Sequence, residues 1–241
     1  MITMVNRIEL YTTFLVLTLF VTSILSDQIR VTCIGDSITE GYGCVNSTYT
    51  INLQNILGDN YNVTNAGASG QTMLKEGFCY NDNLVDFCSY WDTEAAKLAF
   101  SSKADIYTIM LGTNDAKFFN WQGVQENNGD FYVLDYVDMI MKLKKLNPMP
   151  KVYVLIPPPI WDGYNVDTVF YMNATIVNNI LPKVIRNLAN VITDIDGVID
   201  IQTAILSANL PSDIFTCDGC HPYEITNQII AQTIADTITK L

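Results

Sequence analysis

Among 241 residues there is one histidine, His221, and it stands three positions after Asp218. That spacing puts both side chains on one side of a helical turn. Near the other end of the chain lies Gly35-Asp36-Ser37-Ile38-Thr39, which offers a hydroxyl. A serine hydroxyl is a poor nucleophile until a base takes its proton, and histidine is the usual base. Asp218 can accept from one imidazole nitrogen and fix the tautomer, leaving the other nitrogen for Ser37, which is the layout of acyl transfer. Such a reaction also needs donors for an oxyanion, and losing one costs about 3 kcal/mol of transition-state stabilisation. The backbone N–H groups of Ser37 and Gly67 and the side-chain amide of Asn114 are the expected donors. One histidine with scattered acids offers no zinc constellation, so no metal site is expected.

These residues must be carried by elements that converge. Ile29 to Ile34, Tyr61 to Asn65, Ala104 to Leu111, Lys151 to Ile156 and Val191 to Ile201 are short apolar runs that suit buried parallel strands. Between them, 49–57, 131–146 and 166–188 read as helices, the last interrupted or bent at Pro182. The helix over 131–146 spaces Val133, Leu134, Val137, Ile140, Met141 and Leu143 on one face, and 223–241 stripes Ile225, Ile229, Ile230, Ile234 and Ile238 toward the sheet. Strand and helix alternate, which predicts an α/β fold with a parallel five-stranded sheet covered on both faces. In such sheets ligands sit at the carboxyl ends of the strands. Gly35-Asp36-Ser37, Asn65-Ala66-Gly67-Ala68-Ser69-Gly70 and Gly112-Thr113-Asn114-Asp115 each follow a strand, and Asp218-Gly219-Cys220-His221 precedes the last helix. Singly each is ordinary turn or cap chemistry; together they mark one rim. Asp36 and Asp115 are expected to cap and brace there. The stretch 77–92, with two cysteines and little periodicity, is the expected functional loop region.

Composition narrows the partners. The net charge is −12, which disfavours nucleic acid and anionic membrane surfaces. Residues 1–26 hold an uncharged run from Tyr11 to Ser26, shorter than the roughly 20 residues a spanning helix needs. They are expected to be a secretory signal, leaving one domain over 27–241 with no stable membrane insertion, although an uncleaved anchor remains open. Sequons at Asn46, Asn62 and Asn173 and an even six cysteines agree with secretion or a secretory-lysosomal lumen. Six cysteines allow 15 pairings; Cys79 with Cys88 and Cys217 with Cys220 are the favoured ones, and Cys33 reads as a buried thiol.

At these residues the sequence resembles the SGNH or GDSL family of serine esterases. Gly35 to Thr39, Gly67, Gly112 to Asp115, and Asp218 with His221 match its four blocks, over essentially everything after Ile29. The resemblance implies a flavodoxin-like three-layer sandwich, a Ser37–His221–Asp218 triad, an oxyanion hole of Ser37, Gly67 and Asn114, and no cofactor. Residues 65–70, 110–115 and 156–159 look most like carbohydrate-directed acetylesterases, of sialate O-acetylesterase-like or acetylxylan esterase-like kind. The expected substrate is therefore a small-molecule or glycan ester, with acetyl as the acyl group. A lipase or lysophospholipase on the same scaffold is the alternative, and a silent glycan-binding relative is another. Trp121, Tyr42 and Trp91 are the aromatics proposed to stack on a sugar. Acids near the site favour a neutral sugar, with Lys117 and Lys75 the only nearby counter-charges in sequence.

Overall fold

The computed structural model describes residues 28–44, 47–81, 84–121, 129–161 and 169–240. The expected signal segment, Asn46 and the first part of the expected 166–188 helix lie outside the described residues. The chain builds strands β1 (Ile29–Gly35) and β2 (Tyr61–Gly67), a separate antiparallel hairpin of β3 (Phe78–Asn81) and β4 (Leu84–Phe87), then β5 (Ile106–Met110), β6 (Lys151–Ile156) and β7 (Gly197–Asp200). The main sheet has five strands in the order β2-β1-β5-β6-β7, all parallel. β1 runs outward to β2, and the chain then returns to the other side of β1 with β5. The two strands flanking that reversal therefore open a crevice at their carboxyl ends.

Helices flank both faces: α1 (Ser37–Glu40), α2 (Tyr49–Leu57), α3 (Glu94–Ser101), α4 (Phe118–Trp121), α5 (Asp130–Lys144), α6 (Leu181–Val191), α7 (Ile201–Ser207), α8 (Ser212–Phe215) and α9 (Glu224–Ile238). α9 packs on α2, α7 and β7, while across the sheet α3 packs on β1 and β2, and α5 and α6 pack on β6 and on each other. Every residue of β5 is buried, Thr108 included, as its largely apolar run predicts. The outer edge of β2 is closed by a side chain. Gln54 accepts from Val63 N–H at 2.8 Å and donates to Tyr61 C=O at 3.0 Å, so part of the open edge is already paired.

Three expectations are corrected and one is made specific. The face that α5 buries is built on Tyr132, Tyr136, Met139, Ile140 and Leu143, and Leu134 and Met141 are exposed. The two tyrosines belong inside because their hydroxyls donate to the carbonyls of Leu111 (2.9 Å) and Ile109 (3.0 Å) at the end of β5. On α9 the buried face runs through Asn227, Ile230, Ala231, Ile234 and Ile238, leaving Ile225 exposed. The expected 166–188 helix is interrupted next to Pro182, but as two elements and not as one bent helix. A widened π turn at Ile176–Ile180 is followed by α6, and Pro182 sits in the first turn of α6, where a missing N–H is tolerated. The fifth strand starts six residues later than its β-branched run suggests. α6 continues to Val191, and Asp196 then turns the chain by accepting from Val152 N–H at 2.7 Å.

Candidate active site

β1 ends at Gly35, and Asp36 caps α1 as expected, its Oδ1 accepting from Ile38 N–H at 3.0 Å. Ser37 is thereby held at the first turn of α1. Its hydroxyl lies 3.0 Å from His221 Nε2, and His221 Nδ1 lies 2.6 Å from Asp218 Oδ2. The other Asp218 oxygen accepts from the amides of Cys220 (2.9 Å) and His221 (2.7 Å). Burial alone would raise the Asp218 carboxyl, but these donors, led by the His221 ring, hold it down at about 2. An ionised Asp218 places the imidazole proton on Nδ1. Nε2 is then bare and accepts from the Ser37 hydroxyl.

The expected Cys217–Cys220 bridge does not form. Cys217 is bonded to Cys44, 173 residues away, with a Cα–Cα distance of 5.6 Å, and Cys220 is a buried free thiol. The link ties the loop after α1 to the loop that carries Asp218 and His221. Cys44 Sγ sits 2.8 Å from the His221 carbonyl oxygen. Gly43, at φ +110°, lies so close to His221 that a Cβ there would come within 2.6 Å of the His221 Cβ. Cys79 and Cys88 are bonded as expected, and Cys33 is a buried free thiol. The Cys79–Cys88 bridge closes the β3–β4 hairpin, and none of the described residues of 77–92 lines the cavity over Ser37.

A cavity of about 210 Å³ opens over Ser37 and His221, lined also by Tyr42, Ser69, Gly70, Thr113, Asn114, Lys117, Phe170, Met172 and Cys220. A larger cleft of about 550 Å³ lies at the opposite ends of the strands, around Arg30, Asn62 and Asp105, and its carboxylate, Asp105, is paired with Arg30 at 3.0 Å. Of the expected oxyanion donors, Ser37 and Asn114 face the cavity. Gly67 does not: it is the last residue of β2, and its N–H is spent on Asn65 Oδ1 at 2.9 Å. The glycine on the cavity wall is Gly70, at φ +76°, whose N–H makes no hydrogen bond among the described residues. Strand length decides between the two, since β2 runs two residues past Asn65. Asn114 is oriented by donation to Gln71 C=O at 3.1 Å, and its own carbonyl accepts from Asn120 at 3.0 Å.

Of the three aromatics proposed to stack on a sugar, only Tyr42 is at the cavity, 62% exposed and edge-on to His221 with centroids 5.2 Å apart. Trp121 is core: it is buried and packs on Tyr132 at 5.6 Å. Trp91 donates to Met73 C=O and lies under the ammonium groups of Lys75 and Lys142, away from the cavity. Phe170, 5.4 Å from the His221 ring, takes the place opposite Tyr42. It follows no strand and no periodicity, so nothing in the sequence singles it out. Asp115 braces as expected, accepting from Met73 and Leu74 N–H at 2.9 Å each. Burial pushes the Asp36 carboxyl up to about 6 and that of Asp115 up to about 7. Neither lines the cavity, and no acid is among its described lining residues. Asn62 is exposed on the edge of the sheet, and Asn173 caps the helical turn after it through Thr175 and Ile176 N–H.

Residues 33–229 match the GDSL-like Lipase/Acylhydrolase family. The chain belongs to that family. Membership places it among carboxylic ester hydrolases. An acetylxylan esterase of Xylanibacter ruminicola is 33% identical over 230 residues, covering 88% of this chain and 43% of that protein. The chain thus spans less than half the length of that curated relative. Among solved structures, a carbohydrate acetylesterase family member from Sinorhizobium meliloti aligns at TM-score 0.62 and 20% identity, over 88% of this chain and 97% of that one. An inhibitor-bound M. smegmatis aryl esterase aligns at TM-score 0.66 and 21% identity, over 88% and 99%. The acetyl xylan esterase AlAXEase aligns at TM-score 0.64 and 23% identity, over 87% and 100%. These structures share the three-layer fold expected from the sequence.

Proposed function

We propose that the chain is a secreted serine esterase that removes short acyl groups, acetyl foremost, from carbohydrate. The observation that carries this is the continuous contact from Ser37 Oγ to His221 Nε2 and from Nδ1 to Asp218. In this reading Ser37 Oγ bonds to the ester carbonyl carbon as its proton passes to Nε2. The oxyanion is met by the N–H groups of Ser37 and Gly70 and by Asn114 Nδ2. Nε2 then returns the proton to the leaving sugar oxygen, and the C–O bond breaks to leave an acyl-Ser37. Water, deprotonated by the same nitrogen, releases the acid and restores Ser37. Asp218 holds the imidazolium without taking its proton.

The short-acyl preference is supported by a cavity of about 210 Å³ lined by Phe170 and Met172. A sugar target is supported by the flanking rings of Tyr42 and Phe170 and by the acetylxylan esterase relative. Export is supported by two disulfides, which persist in oxidising compartments, and by the exposed Asn62 sequon. A fluorophosphonate probe tests the nucleophile directly. One equivalent should add to the Ser37 peptide by mass spectrometry and none to Ser37→Ala; a label on another residue would overturn the assignment.

A further inference from the structure

Among the described residues that line the cavity, one cationic side chain is not used by the hydrolytic relay: Lys117, whose ammonium burial makes easier to deprotonate and the fields of nearby acids help to keep charged. Lys117 is 8% exposed, lines the cavity with Ser37, Asn114 and His221, and makes no side-chain hydrogen bond or ion pair among the described residues. Lys75, the other cation near the blocks in sequence, is instead held by Asp135 and Asp138 outside the cavity. The acids whose fields reach Lys117 are Asp36 and Asp115. Asp115 is engaged by the amides of Met73 and Leu74, and Asp36 Oδ1 takes the Ile38 amide. Asp36 Oδ2 has no hydrogen-bond partner among the described residues and acts on Lys117 through its field alone, without an ion pair. The third neighbour is the Cys220 thiol, which burial keeps protonated by pushing it well up.

Burying an ammonium without a partner is costly, and a methionine of similar volume would fill the space without that cost. An acetyl group is neutral and offers the cation nothing. The oxyanion already has donors in Ser37, Gly70 and Asn114. We infer that Lys117 receives a carboxylate borne by the sugar whose ester is cleaved, so that the preferred substrate is an acetylated sugar acid. This rests on the esterase reading above and reverses the expectation of a neutral sugar. That expectation assumed acids on the cavity wall, and none of the described lining residues is an acid.

The binding half is testable without turnover. Calorimetric titration of Ser37→Ala with glucuronate, glucose and acetate should show glucuronate binding about tenfold tighter than glucose, as one charge-assisted hydrogen bond allows. Adding Lys117→Met should bring the two sugars level, and Lys117→Arg should keep part of the difference. Acetate binding that depends on Lys117, with no preference for glucuronate, would make the cation a product site and overturn the proposal. In turnover, the ratio of kcat/KM for acetylated glucuronoside over acetylated glucoside should be about ten in the wild type. It should fall toward one in Lys117→Met, through KM, and toward one in the wild type as salt rises. A wild-type ratio near one, or one unmoved by salt and by Lys117→Met, would contradict it. The salt series needs no variant, so misfolding of Lys117→Met would not shield the idea. Failure of the esterase reading would appear separately, as no hydrolysis of any ester by the wild type.

Discussion

Ser37, His221 and Asp218 were legible in the sequence because the pool was so small: one histidine, an aspartate three residues before it, and a serine directly after a strand. Replacing His221 by alanine should lower kcat by about four orders of magnitude while circular dichroism stays native. A folded variant with near-normal rates would end the triad assignment. Asn114→Ala should cost about 10²- to 10³-fold in kcat with little change in KM, the signature of a group that binds the transition state. A rise in KM alone would move Asn114 to substrate binding. The glycine that lines the cavity was less legible, since Asn65-Ala66-Gly67-Ala68-Ser69-Gly70 holds two glycines and only the end of β2 distinguishes them. The aromatics were least legible of all. Trp121 and Phe170 differ in which way their backbone turns them, and hydrophobicity says nothing of that.

At the scale of elements, the central strands could be read because β1, β5 and β6 are buried on both faces over most of their length and so appear as largely apolar runs. The β3–β4 hairpin could not, being a short satellite outside the main sheet. α5 was found by its length, but its inner face was misjudged because Tyr132 and Tyr136 look amphipathic until β5 carbonyls accept from them. The Cys44–Cys217 link is the clearest case of a contact that only tertiary structure supplies. It holds the histidine loop against the segment carrying Tyr42, so Cys44→Ser should lower both stability and rate. Removing a native disulfide typically costs about 2–5 kcal/mol, and we expect kcat to fall further than KM rises. Peptide mapping under non-reducing conditions should recover Cys44 linked to Cys217, Cys79 linked to Cys88, and Cys33 and Cys220 as thiols. A Cys217–Cys220 peptide would contradict the clamp.

At the scale of the molecule, the order β2-β1-β5-β6-β7 opens one crevice, and Ser37 and Asn114 reach it from β1 and β5. The cost of that convergence is two buried acids behind it. Asp36 and Asp115 hold protons up to about pH 6 and 7, above the ~3.9 of a free aspartate. Their contribution to stability is full below about pH 4 and is lost as pH rises through 6 to 7. Asp218 runs the other way, contributing above about pH 4 and losing its share only as pH falls through about 2. Tm should therefore fall between roughly pH 4.5 and 7.5, and Asp36→Asn should flatten that slope; a slope unchanged in the variant would remove Asp36 from this account. The central claim is a Ser37-dependent esterase with a small acyl site. Hydrolysis of p-nitrophenyl acetate, butyrate and octanoate, beside Ser37→Ala, tests it most directly. Rates should fall from acetate to octanoate and vanish in the variant. A preference for octanoate, or turnover that survives the loss of Ser37, would contradict it.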